Sequence, residues 1–76
     1  MNLDDKTFLR TIGTRLRERR LARGLSQAEL GRECDLHRTF IGSVERGQRN
    51  ISIINIRLIA RKLKISLQDL FSESAT

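Results

Sequence analysis

Proline, tryptophan and tyrosine are all absent from this sequence, and its aromatic set is three phenylalanines. Without proline there is no polyproline recognition segment, and so few aromatics make no stacking platform for single-stranded nucleic acid. Cys34 and His37 are the only cysteine and histidine, so there is no internal disulfide, no zinc-binding spacing and no nucleophile–base pair of the kind enzymes use. No apolar run approaches the roughly 20 residues of a membrane helix. The beginning of the chain, with Asp4 and Asp5, is acidic and polar where a secretion signal is basic and then apolar. These absences point to the reducing cytoplasm and away from metals, cofactors, small-molecule ligands and membranes.

What the chain does have is positive charge: a formal net charge of +6 on 76 residues. A basic surface concentrates polyanions, but ribosomal and membrane-surface segments carry similar excesses. The kind of base says more, because twelve of the fifteen basic residues are arginine, and guanidinium forks onto phosphate and guanine edges. A chain of this size forms one domain, here with a core over about 6–71 and a fraying tail at 72–76.

The hydrophobic pattern is helical throughout and predicts an all-α, compact five-helix domain. Phe8, Leu9, Ile12 and Leu16 mark the inward stripe of a first helix that begins after Asp4 or Asp5 and stops at Gly24. Ser26 and Glu29 form a capping box that starts a second helix at Gln27. This helix carries Leu30 and Cys34 and ends at Asp35, a residue type that tolerates a left-handed backbone. Leu36 anchors the turn. A third helix follows from about His37 to Arg46, with Ile41 and Val44 inward and Gly47 as its cap. Ser52 caps a fourth helix with Ile53, Ile56, Ile59, Ala60 and Leu63 inward, and Ser66 caps a brief fifth containing Leu67, Leu70 and Phe71.

The segment Gln27 to Arg46 is the strongest signal. Two short helices that cross steeply through a tight turn need a minimal side chain where they meet, and Gly31 supplies it despite a helix-propensity cost of about 1 kcal/mol. Gly24-Leu25-Ser26-Gln27-Ala28-Glu29-Leu30, together with Ile41 through Glu45-Arg46-Gly47, resembles the Cro and phage-repressor class of helix-turn-helix proteins, the XRE family. The likeness runs from about Ile12 to Phe71 and implies a lambda-repressor-like fold. Leu36-x-Arg38-Thr39-Phe40-Ile41-x-x-Val44-Glu45-Arg46 and Arg49-Asn50-Ile51-Ser52-Ile53-x-Asn55-Ile56 are further similar to the controller proteins of restriction-modification systems. The chain departs from the family pattern at Asp35 and Lys64, where glycine is frequent, and at Phe40, where tyrosine is.

The resemblance implies a transcription regulator that binds double-stranded DNA as a homodimer on palindromic or repeated operators and touches RNA polymerase. Helical spacing puts Arg38, Thr39 and Ser43 on the outward face of the third helix, where the resemblance implies that they read bases, with His37 either a fourth reader or a helix cap. Gln27 at the open end of the second helix and the polar loop Arg46, Gln48, Arg49 and Asn50 suit phosphates. Family members pair an arginine late in helix one with a glutamate late in helix three, which implies a structural ion pair between Arg20 and Glu45. Ile54, Leu58, Leu67 and Phe71 form either a dimer patch or an enlarged single-chain core. Arg15, Arg17, Arg19 and Arg23 read as a solvated basic face. The competing reading is an antitoxin-like or phage-repressor-like module whose main task is binding a protein partner or regulating another operon.

Overall fold

A computed structural model describes residues 2–73. Among the described residues five helices follow one another: α1 Leu3–Ala22, α2 Gln27–Cys34, α3 Arg38–Glu45, α4 Ile53–Leu63 and α5 Leu67–Phe71. Helix α1 starts a little earlier than the sequence reading. Asn2 caps it, its side-chain oxygen accepting from the Asp5 amide at 2.8 Å, and Asp4 and Asp5 then lie in the first turn, where carboxylates favour the helix dipole. The later starts fall where short-range chemistry puts them. Ser26 Oγ accepts from the Glu29 amide at 3.0 Å while the Glu29 carboxylate accepts from the Ser26 amide at 2.8 Å. That box holds the Glu29 carboxyl below its ordinary pKa. Ser52 and Ser66 cap α4 and α5 through Oγ alone, which accepts from the Asn55 and Asp69 amides at 3.1 and 3.0 Å.

Asp35 and Lys64 both adopt left-handed backbone, with φ of 55° and 59°, and each ends its helix at a point where family members often use glycine. The Asp35 turn lets the Leu36 amide donate to the Gly31 carbonyl at 2.8 Å. A Cβ on Gly31 would lie 2.5 Å from the Leu36 carbonyl oxygen. The glycine is therefore required by the backbone of the turn itself, more than by a helix crossing.

Ile12, Leu16, Leu30, Ile41, Ile59, Leu63 and Leu70 form the centre of one core drawn from all five helices. Cys34 is part of it, and burial raises its thiol pKa. Ile65, which the sequence reading passed over, is also buried. Two expectations fail. Ile53 was placed inward but is 64% exposed, because it is the first residue of α4 and its Cβ tilts toward the helix start, beyond the packed part. Phe8 was placed on the core stripe but is half exposed, with its ring stacked on Phe71 at 6.2 Å between centroids.

Two of the arginines read as a solvated face have structural work. Arg15 donates through Nη1 to the carbonyls of Leu70 and Ser72 at 2.8 and 2.6 Å, so the expected loose tail is held at Ser72; residues 74–76 lie outside the described residues. Arg23 donates to the Lys62 carbonyl near the end of α4 and reaches Glu33 at 3.4 Å. Both arginines satisfy or approach carbonyl-rich helix ends, which a cation favours. Among the described residues no helix is long and apolar enough to cross a membrane.

Candidate nucleic-acid interface

Helix α3 has one side sunk in the core and the other in solvent. Ile41, Val44 and Glu45 are buried, whereas Arg38 and Thr39 are exposed. An α-helix with its side chains is about 10–12 Å across, which fits the roughly 12 Å width of a B-DNA major groove. Two contacts set it against the body. A Cβ on Gly13 would lie 2.4 Å from the Val44 carbonyl oxygen and 2.6 Å from that of Glu45, so α1 meets the end of α3 backbone to backbone. Beside that contact Arg20 donates through Nε to Glu45 Oε2 at 2.7 Å and through Nη2 to Oε1 at 2.9 Å, with both residues only 6% exposed.

The pair suggested by family resemblance is thus a two-pronged contact. The hydrogen bond to Glu45 raises the Arg20 pKa. The third prong, Arg20 Nη1 to the Leu25 carbonyl at 2.7 Å, ties the α1–α2 connection into the same cluster. Gln27 joins it as well: its side-chain amide donates to Glu45 Oε1 at 3.1 Å. Its side chain therefore faces inward, and the anion-favouring groups left at the start of α2 are the amides of its first turn. Gly42 makes room for this arrangement. A Cβ there would stand 3.2 Å from both Gln27 Oε1 and Arg46 Nη1, so the two side chains close over bare backbone.

At the start of α3, His37 is the cap: its Nδ1 accepts from the Thr39 amide at 3.1 Å and lies 2.8 Å from Thr39 Oγ1. The Thr39 hydroxyl is held by this contact, while Arg38 beside it extends into solvent. Ser43, one turn on, is half-buried and donates to the Phe40 carbonyl at 2.8 Å. The loop after α3 is more organised than its composition suggests. Arg46 Nε donates to Gln48 Oε1 at 3.0 Å. Arg49 turns back over α3, its guanidinium 5.1 Å from the Phe40 ring centroid and its Nε 3.4 Å from Ser43 Oγ. Asn50 is exposed. Arg38, Thr39, Ser43, Arg46, Gln48 and Arg49 are thereby gathered at α3 and the loop that follows it.

The four apolar residues grouped in the sequence reading differ in how far each is exposed. Ile54 is 61% exposed, but Leu58 and Leu67 are half-buried against the core and Phe71 is turned to Phe8. A cleft between α1, α4 and α5 is lined by Phe8, Ile51, Ile53 and Phe71, adding Phe8 and Ile53 to the exposed apolar surface. Among the described residues no cluster of three His, Cys, Asp or Glu side chains could hold a metal.

Comparison with known proteins agrees with this geometry. The helix-turn-helix family profile matches residues 16–70. The control protein C.BamHI of Bacillus amyloliquefaciens is 46% identical over 60 residues, covering 78% of this chain and 74% of that protein. The crystal structure of the restriction-modification controller protein C.AhdI from Aeromonas hydrophila superposes with a TM-score of 0.83 at 47% identity, over 90% of this chain and 99% of that one. The controller protein C.Esp1396I, solved as a tetramer with its natural 35-base-pair operator, superposes with a TM-score of 0.75 at 31% identity, over 84% of each chain. With an exposed recognition helix on a five-helix body and these likenesses over most of its length, the chain belongs to the helix-turn-helix family, among the restriction-modification controller proteins, which are DNA-binding transcription regulators and not enzymes.

Proposed function

We propose that this chain acts in the cytoplasm as a homodimer on an operator of two related half-sites, and by occupying it controls the promoter of a restriction-modification operon. A two-fold pair sets its recognition helices about 34 Å apart, one turn of duplex. Arg38 donates twice to a guanine edge, Thr39 and Ser43 contact neighbouring bases, and His37 holds the helix start while presenting its outer ring edge. The α2 amides at Gln27, with Arg46, Gln48, Arg49 and Asn50, grip phosphates and fix register. Ile54, with the half-buried Leu58, Leu67 and Phe71, supplies the contact between copies. RNA polymerase, excluded or recruited, reads the occupancy. The relative C.Esp1396I, solved as a tetramer on its operator, supports an assembly of this kind.

The observation that carries this reading is the free first turn of α3, with Arg38 and Thr39 outward and the other end of the same helix clamped by Arg20 and Gly13. Selection of bound duplexes from a random pool, followed by titration of variants across ionic strength, tests it. Arg38→Ala is expected to cost about 1–3 kcal/mol and relax one base position per half-site, whereas Arg49→Ala weakens all sequences alike and lowers the salt slope by about 1. Equal, sequence-independent losses for both, or no duplex binding at low salt, would refute the assignment.

A further inference from the structure

Arg15 sits on α1 between the buried Ile12 and Leu16, and its guanidinium reaches across to the far end of the chain. There it holds the carbonyls of Leu70 and Ser72. Helix α5 has five residues, far too few to be stable by itself, because the nucleation cost of a helix is spread over hardly more than one turn. Its start is capped by Ser66 and its middle anchored by the fully buried Leu70. Its last carbonyls have no partners within the helix, and two carbonyl oxygens at this end accept from the one Arg15 nitrogen.

We propose that Arg15 is the positioning residue for self-association: by tying down the end of α5 it fixes the surface around Leu67 and Phe71 that a second copy meets. The inference rests on the homodimer reading above. Leu67 and Phe71 are half-buried, so their outward halves form a definite shape only while α5 stays docked. The stack of Phe71 on Phe8 depends on the same placement. A leucine or methionine at 15 would fill the space without donating, and a lysine ends one atom short of the Nη1 nitrogen that makes both contacts.

Arg15→Met and Arg15→Lys separate this role from simple packing. Sedimentation equilibrium reads the dimer dissociation constant, amide exchange of residues 67–71 reads the docking of α5, and binding to a single half-site duplex reads the recognition surface alone. In Arg15→Met the dimer constant is expected to weaken about tenfold or more and α5 exchange to accelerate by a similar factor, with half-site affinity held within about twofold and Arg15→Lys intermediate. Faster exchange with an unaltered dimer constant overturns the inference, as does unchanged exchange or an equal loss of half-site affinity. If Arg15→Met loses its helical circular dichroism, Arg15→Lys decides: a folded lysine variant with the original dimer constant and exchange rates overturns it. An unaltered chain that stays monomeric, alone and on operator duplex, sinks the homodimer reading along with the inference, and is told apart because it shows before any variant is made.

Discussion

Replacing Arg20 with methionine strands the Glu45 carboxylate. The substitution keeps much of the aliphatic stem but removes the donors at 2.7 and 2.9 Å from Glu45 and the one at 2.7 Å from the Leu25 carbonyl. What remains is the Gln27 amide at 3.1 Å, a single neutral donor for a buried charge. Breaking a buried pair from one side costs about 3–5 kcal/mol. A chain of 76 residues has a total stability of about 4–11 kcal/mol, so the variant should lose a large part of it, with a fall in melting temperature on the order of 15 °C or more. Arg20→Met with Glu45→Leu should recover much of the loss, because an apolar pair of similar volume leaves no orphan charge. Urea titration followed by far-ultraviolet circular dichroism, with midpoint and slope fitted together, measures both variants. A single-variant cost under about 1 kcal/mol, or a double variant no more stable than the single, would refute the claim that the pair is buried and mutually dependent.

Gly13→Ala should destabilise the fold even though alanine is better by about 1 kcal/mol in an isolated helix, since its Cβ would press on two carbonyl oxygens of α3 and overpacking costs about 1–3 kcal/mol. Urea midpoints check this against Thr14→Ala at the exposed neighbouring position, and a gain in stability at Gly13 would contradict the backbone contact. Cys34 should resist alkylation in the folded protein at mildly alkaline pH, because burial raises its thiol pKa. The native fold binds that proton more tightly than the unfolded chain, so the associated stability is present below the ordinary thiol range and is lost as pH rises through the folded value. Equal alkylation rates with and without urea would contradict it.

The places where helices begin and turn were legible in the sequence because the deciding contacts span few residues. Ser26 with Glu29, Ser52, Ser66, and Asp35 with its left-handed backbone all act within about one helical turn. Periodicity likewise indicated most of the core, since burial repeats every three or four residues along a helix. Gly31 was read for the right place but the wrong neighbour: the close atom is the Leu36 carbonyl of the turn.

Tertiary structure alone decided the uses of the arginines. Arg15, Arg17, Arg19 and Arg23 look alike in the sequence, yet Arg15 holds carbonyls 55 and 57 residues away and Arg23 one 39 residues away. Gln27 carries no mark of turning inward; its partner is Glu45, 18 residues on. Gly13 is set by where α3 ends against α1. Ile53 and Ile54 are the same residue type in adjacent positions, and only the packed body shows that both face outward. A cap is settled by neighbours along the chain, but the partner of a long side chain depends on which distant backbone the folded helices bring within its reach.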